Sequence, residues 1–314
     1  MPKTSLDVSQ KLWHKAKVRN DDPKEVWGIP WGIRGLDRLL GGIHAEQYAV
    51  VGAVPGIGKT AFLCQVAVNV GTHIKNNLEG KCIRIISTEM SAESLQQRMA
   101  LYVDALEVER LRKEDPTRVI KNLTQRQFDT GFASEKEMQR YKHALEVVTE
   151  LPIEWEDEPK SPAATRRWIE EDGRCVWFGL DYIQKHPTGV PGLAGEDVKG
   201  AIQNSHAFQQ IAQKVCPGLA LSSLNRKVYE RENHRPVLAD YFGAAGVEHD
   251  AVVGMFLHWP DFWENQKMTE EQAREPRFMQ LIVAKNRGGP LADIDVLFSP
   301  PNWSFTDITR ETKE

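Results

Sequence analysis

The stretch AVPGIGKT, Ala53–Thr60, closes an apolar run, QYAVVGAV (47–54), and opens a helical pattern, TAFLCQVAVNV (60–70). An apolar strand, a glycine loop, a Lys-Thr pair and a helix in that order form the context a P-loop requires. Gly56 and Gly58 let backbone N–H groups curl around a phosphate with no Cβ in the way. Lys59 is placed to meet the β- and γ-phosphates of ATP and Thr60 to ligate Mg²⁺, while the helix N-terminus adds its dipole. Ala53 stands at the first motif position instead of Gly, and Pro55, Ile57 and Ala61 complete the candidate nucleotide-binding set. The alternative, a glycine turn that binds nothing, leaves that ordered context without a reason.

Working outward, further apolar runs alternate with helical patterns: CIRIISTE (82–89), CVWFGLDYI (175–183), GLALSSL (218–224) and AVVGMFLHW (251–259). Their continuous apolar character suits parallel strands covered on both faces. MQLIVAKN (279–286) and ADIDVLFS (292–299) are joined by a tight Gly-Gly-Pro turn, which predicts an antiparallel hairpin at the sheet edge. The fold class is therefore α/β, with a mostly parallel central sheet flanked by helices and an antiparallel edge hairpin. Residues 104–149 read as a charged, surface helical pair, and PTGVPGLAGEDVK (187–199) as a mobile loop. Before residue 27, residues 5–18 carry Val8, Leu12 and Ala16 on one helical stripe with Ser5 as cap, and RNDDPKE follows as a linker. A solitary amphipathic helix must bury its stripe somewhere, so residues 1–26 are expected to link subunits and 27–314 to form the main domain. A frayed tail is the other reading of residues 1–26.

The 314 residues carry a net charge of −4, so nucleic acid could be held only by a local basic patch. The four cysteines show no metal-ligand spacing and read as buried free thiols of a reducing cytosol. No signal peptide and no membrane-length apolar run is present, which predicts a soluble intracellular, cytoplasmic protein without a membrane partner.

Two carboxylates follow apolar strands. Asp181 ends the CVWFGLD run, where a P-loop protein places its Mg²⁺-side ligand. Glu89 ends CIRIISTE and could polarise an attacking water, although a solvated glutamate at a helix start reads equally well from spacing alone. Lys285 and Arg287, in LIVAKNRGGP (281–290), are two apart and point the same way on an extended strand.

Those stretches, in their order, resemble the RecA-type ATPase domain of the DnaB family of hexameric replicative helicases. The similarity begins at GIPWGIRGLDRLLGGI (28–43) and runs through the P-loop, STEMSAESLQQRM, LPIEWEDEP, LDYIQ, LSSLNRKVYERENHRP, GVEHDAVVGMFLH and VAKNRGGP. It covers nearly everything after residue 27. The resemblance implies a RecA-like P-loop NTPase fold, with Glu89 as the catalytic glutamate and Asp181 as the metal-side aspartate. Gln184 matches a glutamine of the nucleotide site. Lys285 and Arg287 match a basic pair that crosses the subunit boundary to a neighbour's γ-phosphate, which would make hydrolysis conditional on assembly. The implied partners are single-stranded DNA, further copies of the chain in a hexameric ring, and a primase or helicase loader.

Departures from the family pattern qualify these expectations. Ser223 stands where the family has a γ-phosphate-sensing glutamine, and a hydroxyl is too short to replace that amide. Phe242, Gly243, Ala244 and Ala245 replace a cation-bearing DNA loop, so DNA contact would rest on backbone N–H groups or on Lys199 and neighbouring loops. The family's amino-terminal collar has no counterpart before the motor, as in a minimal phage- or plasmid-style version. Three functions are in view: a translocating helicase, a recombination or remodelling ATPase of the same superfamily, and an ATP-gated single-strand-binding or loading module.

Overall fold

The computed structural model of the chain describes residues 4–262, 269 and 272–308. The carboxyl end of the expected main domain, 309–314, lies outside the described residues.

In chain order the helices are α1 (Ser5–Asp21), α2 (Arg34–Leu40), α3 (Lys59–Asn77), α4 (Ala92–Glu114), α5 (Gln125–Thr130), α6 (Glu135–Thr149), α7 (Pro162–Glu170), α8 (Val198–Lys214) and α9 (Ala244–Asp250). The strands are β1 (Tyr48–Gly52), β2 (Cys82–Ser87), β3 (Ile153–Glu156), β4 (Cys175–Asp181), β5 (Gly218–Ser222), β6 (Val253–His258), β7 (Arg277–Asn286), β8 (Ala292–Ser299) and β9 (Ser304–Asp307). Among the described residues they form one sheet in the order β3-β2-β4-β5-β1-β6-β7-β8-β9.

The strands from β3 to β6 run parallel, and β7, β8 and β9 continue antiparallel. β1 lies between β5 and β6 and is buried at all five positions, which explains its unbroken apolar run. One face of the sheet is covered by α3, α4 and α6 through a core that includes Trp31, Phe62, Met99 and Trp177. The other is covered by α7, α8 and α9 around Phe178, Phe208, Tyr241 and Phe256. Each βα connection therefore leaves the carboxyl end of its strand on one edge, where ligands of such sheets bind.

Several expectations are refined. The β7–β8 hairpin lies at the antiparallel end of the sheet as expected, and one further strand, β9, pairs outside it through Phe298 and Phe305. β9 and the opposite edge strand β3 are four residues each, too short to stand out as apolar runs. The amino-terminal helix is capped by Thr4, one residue before the expected Ser5, in a reciprocal capping box with Asp7, and it extends through part of the expected linker to Asp21. Its stripe is uncovered in the single chain, with Leu12 and Trp13 exposed. Residues 187–197 are irregular but internally bonded, with Thr188 Oγ1 donating to Leu193 O at 2.6 Å.

The expected helical pair over 104–149 is the end of α4 with α5 and α6, and one buried carboxylate ties it together. Asp104 accepts from Leu123 N at 2.8 Å and from both Arg140 Nε and Nη2, at 3.0 and 2.6 Å. Removing it would strand a buried N–H and a half-buried guanidinium together. Asp104→Ala is expected to lower unfolding free energy by about 3 kcal/mol, measured as a lower urea midpoint at unchanged slope.

Candidate functional site

The P-loop leaves β1 and returns as α3, a 19-residue helix capped by Gly58. Gly58 has φ +103° and packs against the rings of Phe298 and Phe305, so the loop is seated on the antiparallel end of the sheet. Gly56 has φ +80°, and a Cβ there would meet nothing within 4 Å. Only the backbone conformation demands glycine at that position, and the space it faces is open.

Lys59 folds back on its own loop, donating to Ala53 O at 2.9 Å and Val54 O at 3.5 Å. Burial lowers its pKa, with Asp181 and Glu89 opposing that shift. Thr60 Oγ1 donates to Asp181 Oδ2 at 2.7 Å, joining the start of α3 to the end of β4. Asp181 is 1% exposed. Burial raises its pKa to about 6; the Thr60 hydrogen bond works against the rise and the Glu89 charge adds to it.

Glu89 sits on the exposed bend after β2, held near the site by Thr88, whose N–H and Oγ1 both donate to Asp181 O. Its nearest cation is Lys185, 4.0 Å away. The fold thus gathers Lys59, Thr60, Glu89 and Asp181 at the carboxyl ends of β1, β2 and β4.

Gln184 faces elsewhere. It is 3% exposed, and its carboxamide donates to Ser222 Oγ at 2.9 Å and Phe242 O at 3.2 Å while accepting from Ser223 N at 3.1 Å. Those bonds use both its protons and turn it toward the end of β5 and the segment before α9. The segment expected to be a DNA loop pairs with the end of β5 through Phe242 N to Ser223 O; Gly243 is then the cap of α9 and Ala244 its first residue.

Lys285 and Arg287 do share one direction. Lys285 Nζ donates to Glu248 O, and Arg287 Nη2 donates to His249 O at 2.7 Å, both at the carboxyl end of α9. Burial lowers the Lys285 pKa, and the Arg287 charge adds to that. Among the described residues neither cation forms an ion pair, and no contact joins them to the phosphate cradle of their own chain.

Sequence reasoning missed Arg98 and Trp303. Arg98, on the half-buried side of α4, lies 4.2 Å from the Trp303 ring centre, and its charge reaches Asp181 and Cys64 beside the P-loop helix. Among the described residues no carboxylate pairs with it. The available signal was an arginine inside the apolar stripe Leu95–Met99, but only tertiary packing brings it to the P-loop.

The residues fit a magnesium triphosphate. A hydroxyl and one carboxylate are the hard oxygen donors that Mg²⁺ uses when phosphates supply the rest, and a cation there would relieve the burial penalty on Asp181. Among the described residues no cluster of three or more metal-ligating side chains exists.

Fold and site together define an α/β domain with a P-loop at the carboxyl ends of its parallel strands. The sequence matches the DnaB-like helicase C-terminal domain over residues 28–307, and the chain belongs to that family. It is 25% identical to the replicative DNA helicase DnaB of Geobacillus stearothermophilus across 99% of its own length and 63% of that protein's, so it spans less than two thirds of this relative. A solved ATPase domain superposes with a TM-score of 0.78 at 21% identity, covering 98% of this chain and 100% of that one. A DnaB-like replicative helicase described with its interactions with primase gives 0.75 at 20% identity, over 97% of this chain and 67% of that one.

The Asp181 shift has a consequence for stability. Its folded-state pKa lies above 3.8, at about 6, so the folded chain keeps a proton that the unfolded chain releases. The contribution of that group is full below about pH 4 and is lost as pH rises through about 6. Asp181→Asn is therefore expected to stabilise the metal-free protein at pH 7 by up to about 3 kcal/mol, with little effect at pH 4. Urea unfolding in a chelator at the two pH values measures both, and turnover of the same variant should collapse.

Proposed function

We propose that this chain is the motor domain of a ring-forming, ATP-driven DNA helicase, hydrolysing ATP at subunit interfaces and translocating on single-stranded DNA to unwind duplex. The observation that carries the reading is the separation of the site into two halves. One edge of the chain holds a phosphate cradle with a metal-side aspartate and a glutamate; elsewhere Lys285 and Arg287 share one direction and bond only to backbone carbonyls. Cations on that face are well disposed to meet a triphosphate held by a second copy.

In this mechanism Lys59 and the P-loop N–H groups of Gly56 and Gly58 hold the β- and γ-phosphates, with Pro55, Ile57 and Ala61 shaping the loop. Thr60 and Asp181 would hold Mg²⁺, which supplies charge neutralisation on the phosphate oxygens. Glu89 orients the attacking water and accepts its proton. Arg98, stacked on Trp303, adds a cation from α4. The neighbour's Lys285 and Arg287 stabilise charge on the transferring phosphoryl group, as an arginine finger does. Movement of the segments at 187–199 and 241–247 transmits hydrolysis to the DNA strand.

Assembly as a homo-hexameric ring would use α1. Its exposed Leu12 and Trp13 match a cleft of about 940 Å³ lined by Val103, Leu106, Leu111, Val119 and Val147 between α4 and α6. A primase or a helicase loader is the partner expected of such a motor, and the bacterial or phage-infected cytoplasm its setting. Among the described residues no helix is long and apolar enough to cross a membrane.

A second reading, a remodelling ATPase that does not unwind, is favoured by one feature: Gly243, Ala244 and Ala245 offer no side-chain cation to DNA. A forked substrate separates the two, since only the helicase displaces a strand.

Steady-state ATP hydrolysis with and without single-stranded DNA, beside a measurement of oligomeric mass, tests the proposal. Lys59→Ala should abolish turnover. Arg287→Ala should lower it by about 10³-fold or more while a fluorescent nucleotide still binds. Full turnover in Arg287→Ala, or in a monomer at every concentration, would remove the shared-site reading.

A further inference from the structure

We infer that Gln184 is a positioning residue that couples a subunit's own nucleotide site to the cation pair the same subunit presents to its neighbour. The inference rests on the reading that Lys285 and Arg287 act in trans.

A continuous bonded path joins the two places. It begins where Thr60 donates to Asp181, at 2.7 Å. Asp181 leads directly into a 3₁₀ turn, Ile183–Lys185, which Asn204 on α8 clamps by donating to Ile183 O at 3.0 Å and His186 O at 2.6 Å. Gln184 projects from that turn. Its carboxamide grips the end of β5 at Ser222 and Ser223, and the segment before α9 at Phe242. From Phe242 the chain passes through Gly243, in the left-handed region at φ +77°, into the seven residues of α9. The last carbonyls of α9, those of Glu248 and His249, are the anchors of Lys285 and Arg287.

The links are hydrogen bonds, one 3₁₀ turn and the seven residues of α9, and Gln184 at the junction is buried, so motion at one end is not absorbed by solvent. The two ends also have a reason to move. A cation bound by Thr60 and Asp181 would turn both oxygens toward itself and end the hydrogen bond between them, a differential contact of the kind that can shift a two-state element. At the far end α9 is short and begins at a glycine, so a pull on Phe242 re-aims its carbonyls and the cations they hold. Gln184 fits the junction because one carboxamide donates twice and accepts once, which neither a carboxylate nor a hydroxyl can do.

The test is the coordination of hydrolysis in the assembled protein. In wild type, ATP turnover should have a Hill coefficient above one, and doping with Lys59→Ala subunits should lower activity out of proportion to the dose. A Lys59→Ala subunit still supplies its own cations, so a ring without coupling loses activity only in proportion. Gln184→Met, of similar size but without the amide, is expected to bring the Hill coefficient to about one and the doping curve to a straight line. Ser222→Ala, which removes a single partner, should give the same change in part and guards against a variant that does not fold. Thermal melting and fluorescent nucleotide binding are measured on each. Unaltered cooperativity and doping in folded Gln184→Met overturns the inference, as does loss of nucleotide binding itself, which would return Gln184 to the phosphate site. If instead Arg287→Ala keeps full turnover, it is the shared-site reading that has failed.

Discussion

The contact on which the site depends is a 2.7 Å hydrogen bond from a hydroxyl at the start of α3 to a carboxylate at the end of β4. Asp181 is buried in a way that opposes its own charge, and the Thr60 proton is the nearest compensation the chain offers it. Such an arrangement is held only because the surrounding sheet is stiff. β4 is paired on both sides, by β2 and β5, and β2 is extended past its last pair by Thr88, which bonds to the carbonyl of Asp181 itself. The fold thus keeps a destabilised carboxylate at the carboxyl end of β4, and in the proposed site the stability withheld from the free protein would become binding energy for a metal.

The same preorganisation is visible in Lys59. Without a phosphate it bonds to two carbonyls of its own loop and is partly desolvated. Those bonds fix the loop in a curled form, so the cradle is shaped before the ligand arrives, and exchanging carbonyls for phosphate oxygens strengthens each interaction without rebuilding the backbone. Lys285 and Arg287 follow the same pattern, held by the partial negative charge at the carboxyl end of α9 until a stronger anion is offered.

What the sequence discloses follows from how local each feature is. The P-loop and the long strands are legible because a single stretch carries both the glycines and the apolar run, and β1 is buried on both faces. Strand periodicity hints at the shared direction of Lys285 and Arg287, but β7 stops at Asn286, and it is the carbonyls at the end of α9 that bring Arg287 beside Lys285. β3 and β9 are not legible, since four residues each leave no pattern to read. Arg98 and Trp303 are some two hundred residues apart and meet only because β9 lies beyond the hairpin, on the side that α4 covers. The expectation of a nucleotide contact at Gln184 comes only from the family resemblance, in the LDYIQ stretch. The tight turn at 183–185 reverses its direction, and no periodicity rule reports that.

On the proposed reading a domain built this way has two incomplete sites, not one complete site, and the split has an electrostatic logic. A triphosphate surrounded within one chain by Lys59, Arg98, Lys285 and Arg287 would be neutralised whenever it bound, and hydrolysis would run without regard to assembly. With the last two cations held on α9, and with no ion pair joining them to any described carboxylate, the proposed cradle would bind nucleotide on its own but lack charge for the transition state. On that reading binding and turnover would be separated in space, so that only contact between copies would join them. The uncovered apolar stripe of α1 works to the same end. Its exposure is unfavourable for an isolated chain, and in the proposed assembly burying it against another copy would be the step that also brings the cations into range.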